Sequence, residues 1–190
     1  GFPYDGYQLV PLHTKHGHGV FEHNSRSILL RPRLGFADDG AANGHGYEEF
    51  LTLAAHEHFH AWNVKRIHPA ELGPVFDYAN EHYTRDLWWL EGGTVYYEER
   101  VTFLAGLVTR ERHLARLADL VTRLRGTAGR RHQSLEDGSF DAWIKYYRPD
   151  ENSSNAAVSY YTKGALVALL LDLRIGRLTG GARGLQDVLR

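Results

Sequence analysis

The 190-residue sequence contains no cysteine and no methionine. Without cysteine it can form no disulfide framework, thiolate zinc finger, iron–sulfur cluster or thiol nucleophile, and either a cytoplasmic or a periplasmic location is compatible with its chemistry. The missing methionine and the Gly1 start suggest a segment of a longer protein. No net charge of either sign stands out, since 22 Lys+Arg balance 23 Asp+Glu to leave −1. Such a balance gives no reason to expect nucleic acid or an anionic membrane as partner. The longest apolar run, Ala165–Leu171, is far short of the roughly 20 residues that span a bilayer. Gly1–Val10 lacks the basic start and apolar run of a leader. Internal repeats and low-complexity tracts are also absent.

What is present is a globular composition, 43% hydrophobic and 12% aromatic, long enough to bury a core as one domain over residues 1–190. Tyr7–Leu12, Gly19–His23 and Ser27–Arg31 are short, rich in β-branched or aromatic residues and separated by Gly, Pro and Asn, so they are expected to be strands. Phe36–Gly46 reads as a loop. From Tyr47 the period changes to that of a helix, expected over Tyr47–Val64, with Lys65 and Arg66 favourably placed for its dipole. Ile67–Tyr83 reads as a loop. A second helix is expected over Arg85–Ala105 with Thr84 as cap, and a third over Arg110–Arg125, capped by Thr109 and stopped by Gly126. The stripe of the third is Leu114, Leu117, Ala118, Val121 and Leu124. Ser134–Tyr147 holds room for one or two helical turns, and Arg148–Asn155 reads as a polar loop. Ser159 caps an apolar helix over Tyr160–Leu178, ended by Gly180-Gly181, after which another helix begins. Strands first and helices after make the expected class α+β, with a mainly helical bundle following the N-terminal strands.

Histidine is abundant, at 12 residues, about three times a usage of ~2%. Its informative arrangement is His56-Glu57-His58-Phe59-His60. Positions i and i+4 share one helix face, about 6 Å apart along the axis, where two imidazoles can reach one ion at about 2.0–2.1 Å. Glu57 lies one position round, where it can serve as base toward a water activated by the metal. Chance yields roughly 0.05 such runs in this composition. His58 points away from His56 and is not read as a ligand. A catalytic zinc needs a third ligand, and Glu91, in Leu87-Trp88-Trp89-Leu90-Glu91-Gly92-Gly93, is the candidate. It stands among bulky apolar residues, and the glycines beside it would admit another backbone or a substrate closely. Glu98, two turns further on, could hydrogen-bond a ligand histidine. His13, His16, His18 and His23 could hold a second metal ion, although a polar loop is the plainer reading.

The runs His56–Pro69, Phe140–Asn152 and Ser159–Leu173, with Trp89-Leu90-Glu91-Gly92 between them, resemble the glycyl aminopeptidase family of gluzincin zinc metallopeptidases. The resemblance extends from about Gly17 onward. It implies a thermolysin-like catalytic domain and Zn2+, with the family's N-terminal β domain and PDZ domain lying outside this chain. By matching position it implies His56, His60 and Glu91 as metal ligands and Glu57 as general base. Tyr161, before Thr162-Lys163-Gly164, matches the tyrosine that donates a hydrogen bond to the developing oxyanion, with Tyr160 as the alternative. Gly19–Asn24 resembles the family's Gly-Gly-Leu-Glu-His-Asn strand, departing from it at Val20-Phe21; there Glu22 would accept the α-amino group of a peptide with a free N-terminus.

The expectation is therefore a zinc aminopeptidase. A thermolysin-type zinc endopeptidase and a metal-binding fragment of weak activity are the alternatives, and an iron or copper protein is disfavoured by the central Glu57.

Overall fold

The computed structural model describes residues 1–32, 45–73 and 77–189; most of the loop expected over Phe36–Gly46 lies outside them. The chain divides into two compact units, one of Gly1–His68 with Tyr97–Leu114, the other of Pro69–Tyr96 with Ala115–Arg190. The class is α+β.

In the first unit, β1 (Gln8–Thr14), β2 (Gly19–Glu22) and β3 (Arg26–Pro32) form a sheet of order β1-β3-β2. β1 runs parallel to β3 and β2 antiparallel, with Glu22 opposite Ser27. The alternation of β3 buries Ser27 and Leu29 completely, as a half-covered strand requires. Helix α1 (His45–Phe59) packs on this sheet. Tyr7 Oη donates to the Glu57 carbonyl at 3.0 Å, and Ser27 Oγ does so at 3.4 Å. Another face of α1 carries His58 into a cluster of Phe2, Tyr4, Tyr7 and Trp62, where burial lowers the His58 pKa. Arg66 Nη2 fixes the N-terminal segment by donating to Pro3 O at 2.7 Å.

The second unit is helical. A π-helical turn over Trp88–Gly93 leads into α2 (Thr94–Leu104), which divides between the units after Tyr96. Sequence periodicity suggests one continuous α-helix there. Thr84 does accept from Asp86 N, at 3.2 Å, as a cap would. Helix α3 (Arg110–Gly126) follows and divides between the units after Leu114, its start capped by Thr109 Oγ1 accepting from Arg112 N at 3.2 Å. The stripe assigned to α3 is not a buried one, since no residue of that helix is buried. α4 (Leu135–Phe140), a second π-helical turn Ala142–Tyr146 and the single turn α5 (Ser153–Ala156) lead to α6 (Tyr160–Leu178). α5 interrupts what reads as a polar loop, and the final expected helix is only the turn Leu185–Asp187.

α6 keeps its sequence-derived bounds because each has a chemical cause. Ser159 Oγ accepts from Thr162 N at 3.3 Å at the start, and Gly180 and Gly181 adopt φ of 60° and 85° at the end. Tyr160, Gly164, Ala168 and Asp172 recur every four residues and are all buried, forming the side that packs against Trp88–Gly93. By length and composition Ser153–Leu178 could cross a bilayer, a property that a core helix shares. Asp172 closes the C-terminal turn, accepting from Tyr96 Oη at 2.5 Å and from Leu185 N at 2.6 Å.

Candidate metal centre

The last turn of α1 and the residue that follows it present His56, Glu57 and His60, whose ligand atoms all lie within 4.8 Å of one another. All three residues are buried. The two imidazoles stand edge to face with centroids 4.7 Å apart. Each is oriented through its Nδ1. His56 Nδ1 lies 2.5 Å from Glu98 Oε2 of α2, and His60 Nδ1 lies 2.9 Å from the Asn63 carbonyl. Partners at Nδ1 fix each ring and leave Nε2 as the nitrogen it can offer to an ion, which is the way ligand histidines are held. Among the described residues this is the group of ligand atoms that converges; His13, His16, His18 and His23 are exposed side chains of the strand region.

The helix stops at Phe59, five residues before the expected end at Val64, because the chain turns back on itself. Asn63 N donates to Phe59 O, Lys65 N to His60 O and Val64 N to Ile67 O, at 3.1, 3.1 and 3.0 Å. This turn puts Val64 at φ 131°, a region that a β-branched residue enters at a cost of about 1–3 kcal/mol. It also carries the Asn63 carbonyl to His60. Lys65, assigned by sequence to the helix dipole, instead reaches β2 and donates to Glu22 Oε1 at 3.1 Å. Glu22, the expected amine acceptor, is thus a partly buried carboxylate in an ion pair.

The second unit holds the other expected residues. Glu91 sits on the π-helical turn, a form concentrated at functional sites. The neighbouring glycines have a packing cause. A Cβ on Gly92 would meet Tyr160 O at 2.6 Å, and one on Gly164 would meet Trp88 O at 2.2 Å. Only glycine at both positions lets the backbones of the π-helical turn and α6 touch. Trp88 N donates to Ser139 Oγ at 2.9 Å and anchors the start of the turn. The crossing brings Glu91 near the tyrosines that open α6. Burial, with the Glu91 charge next, raises the Tyr161 pKa well above 10. Burial also raises Tyr160, with Tyr147 and Glu91 adding to the shift. Both phenols therefore stay protonated as donors. Tyr160 is 1% exposed, whereas Tyr161 is only partly buried.

Two further tyrosines join this cluster. Tyr160 Oη donates to Tyr147 Oη at 3.3 Å, and Tyr147 Oη lies 3.4 Å from Tyr161 Oη. The Tyr146 ring lies 4.9 Å from Tyr160 and 5.6 Å from Tyr161. The run Phe140–Asn152 carries Tyr146 and Tyr147 as a doublet, which is the signal the sequence offers for them. Lys163 braces this end of α6, donating to Gln133 O at 3.1 Å. No side-chain signal could have disclosed the Asn63 contact, which is made by a backbone carbonyl.

Two imidazoles oriented through Nδ1 beside a buried carboxylate are a donor set that could hold a metal ion. The sequence model described as M61 glycyl aminopeptidase matches residues 49–167, more than half of the chain, and the chain belongs to that family. Among solved structures it is similar to the crystal structure of an aminopeptidase N family protein from Idiomarina loihiensis. The identity is 34% and the TM-score 0.91, over 98% of this chain and 32% of that one. The chain thus spans about a third of that relative. A comparison with curated proteins finds no match.

Proposed function

We propose that this chain is the core of a zinc-dependent aminopeptidase with a thermolysin-like catalytic domain. The observation that carries the reading is the buried convergence of His56, Glu57 and His60, with both Nδ1 atoms engaged. His56 and His60 would hold the ion, with Glu91 as third ligand and one position left open for the reaction. Zinc, when bound, supplies a Lewis acid that polarises the scissile carbonyl and acidifies water. Glu57 takes the proton of the attacking water and delivers it to the leaving amine. Tyr161, neutral and partly accessible, donates to the oxygen that gains negative charge, favouring the transition state over the substrate. Buried Tyr160 suits a structural role. Glu98 orients His56, and Glu22 receives the α-ammonium of the substrate.

The test is the zinc content and turnover of Glu57→Gln and Tyr161→Phe. Both should keep about one zinc per chain and lose turnover, by about 10³-fold and 10²-fold respectively. A Glu57→Gln protein of normal rate would end the proposal. The Lys65 contact on Glu22 favours one second reading, a zinc endopeptidase, because a neutralised carboxylate attracts an ammonium less strongly. An N-acetylated substrate cleaved as fast as the free one would decide for it.

A further inference from the structure

Lys65 offers Glu22 the same chemical group that a peptide N-terminus would offer. Its Nζ is a primary ammonium on an aliphatic stem, 3.1 Å from Glu22 Oε1. The two side chains are 20% and 30% exposed, so the pair is reachable from solvent and partly screened. The Lys65 backbone is held independently, through its N–H on His60 O, so its side chain can leave without undoing the turn that orients His60. Glu22 ends β2 opposite Ser27, and Ser27 contacts the Glu57 carbonyl. The strand and the base-bearing helix are therefore in register within one unit.

We propose that Lys65 is an internal competitor for the substrate's amino terminus. In the free protein its ammonium occupies Glu22; a peptide with a free N-terminus displaces it, one ammonium exchanging for another on the same carboxylate. Glu22 is thus never left as an unpaired, half-buried charge. Lys65 sets how tightly N-termini bind, whereas an uncharged end, which cannot pair with Glu22, neither displaces Lys65 nor responds to its loss. The same exchange accounts for an amine-binding glutamate that already carries a cation. The inference rests on the reading of Glu22 as amine acceptor.

The experiment uses zinc-loaded protein carrying Glu57→Gln, so that peptide is bound and not cut, with triglycine and N-acetyl-triglycine as probes in titration calorimetry. Adding Lys65→Met, which keeps the stem and removes the charge, should tighten triglycine binding roughly threefold to fivefold, the size of a partly exposed ion pair. Binding of the acetylated peptide should not change. Lys65→Arg, which keeps a cation, should stay within about twofold of its parent. If Lys65 merely braced Glu22, Lys65→Met would weaken binding; that result, or no change, overturns the competitor role while a preference for the free amine persists. Equal affinity for the two peptides before Lys65 is altered removes the amine role of Glu22, and this inference with it.

Discussion

In the unit of Gly1–His68 with Tyr97–Leu114, three side chains of the proposed site are held by polar partners: His56 by Glu98, His60 by the Asn63 carbonyl, Glu22 by Lys65. In the unit of Pro69–Tyr96 with Ala115–Arg190, position comes mainly from the packing of backbone on backbone at Gly92 and Gly164, with phenols stacked above it. The contrast suits the chemistry assigned to each. A base and metal ligands need defined tautomers and charges, which hydrogen bonds supply. A neutral donor needs a fixed place and a suppressed ionisation, which burial supplies.

The comparison breaks most readily at the glycine crossing. Gly164→Ala drives a Cβ to 2.2 Å from the Trp88 carbonyl and should cost about 3 kcal/mol of unfolding free energy, read from denaturant midpoints. Gly126→Ala, with nothing within 4 Å of the new Cβ, should be neutral or stabilising. Equal effects at the two sites would show that contact between the backbones is not what positions α6. Next in size is Glu98→Gln, which leaves His56 without a carboxylate. Zinc affinity measured by chelator competition should fall about 10- to 100-fold with little change in the metal-free melting temperature. A parallel loss of both would make Glu98 a structural residue instead.

The smallest separation is in pH. Burial raises Tyr146, Tyr160 and Tyr161 from 10.0. The folded state then retains protons that the unfolded chain releases, so stability is full below pH 10 and declines as pH rises above it. Tyr4 and Tyr7 shift in the same direction, so both units contribute. Tyr161→Phe should flatten this alkaline decline, followed by circular dichroism, without abolishing it.

The sequence was most legible where one local interaction decides the outcome. Ser159 and Gly180 mark α6, Thr109 marks the start of α3, and the i, i+4 histidines mark the face where candidate ligand atoms converge. It was least legible where register changes inside an apolar run. Trp62 kept the helical period past Phe59, although its ring belongs to an aromatic cluster built around His58. The π-helical turn at Trp88–Gly93 has no composition of its own, so Arg85–Ala105 read as plain helix. The partners of His60 and Glu22 escaped for related reasons: one is a backbone carbonyl, the other a lysine whose reach depends on the turn at Val64.

The crossing at Gly92 and Gly164 also bears on inheritance. Each glycine excludes a side chain because the backbone of the facing segment stands against it, so the two positions are free to vary only if the helices have already moved apart. A descendant sequence with alanine at one of them announces a wider crossing, and with it a tyrosine displaced from Glu91. Two letters, 72 positions apart, then serve as a ruler for that spacing, legible before any coordinates exist.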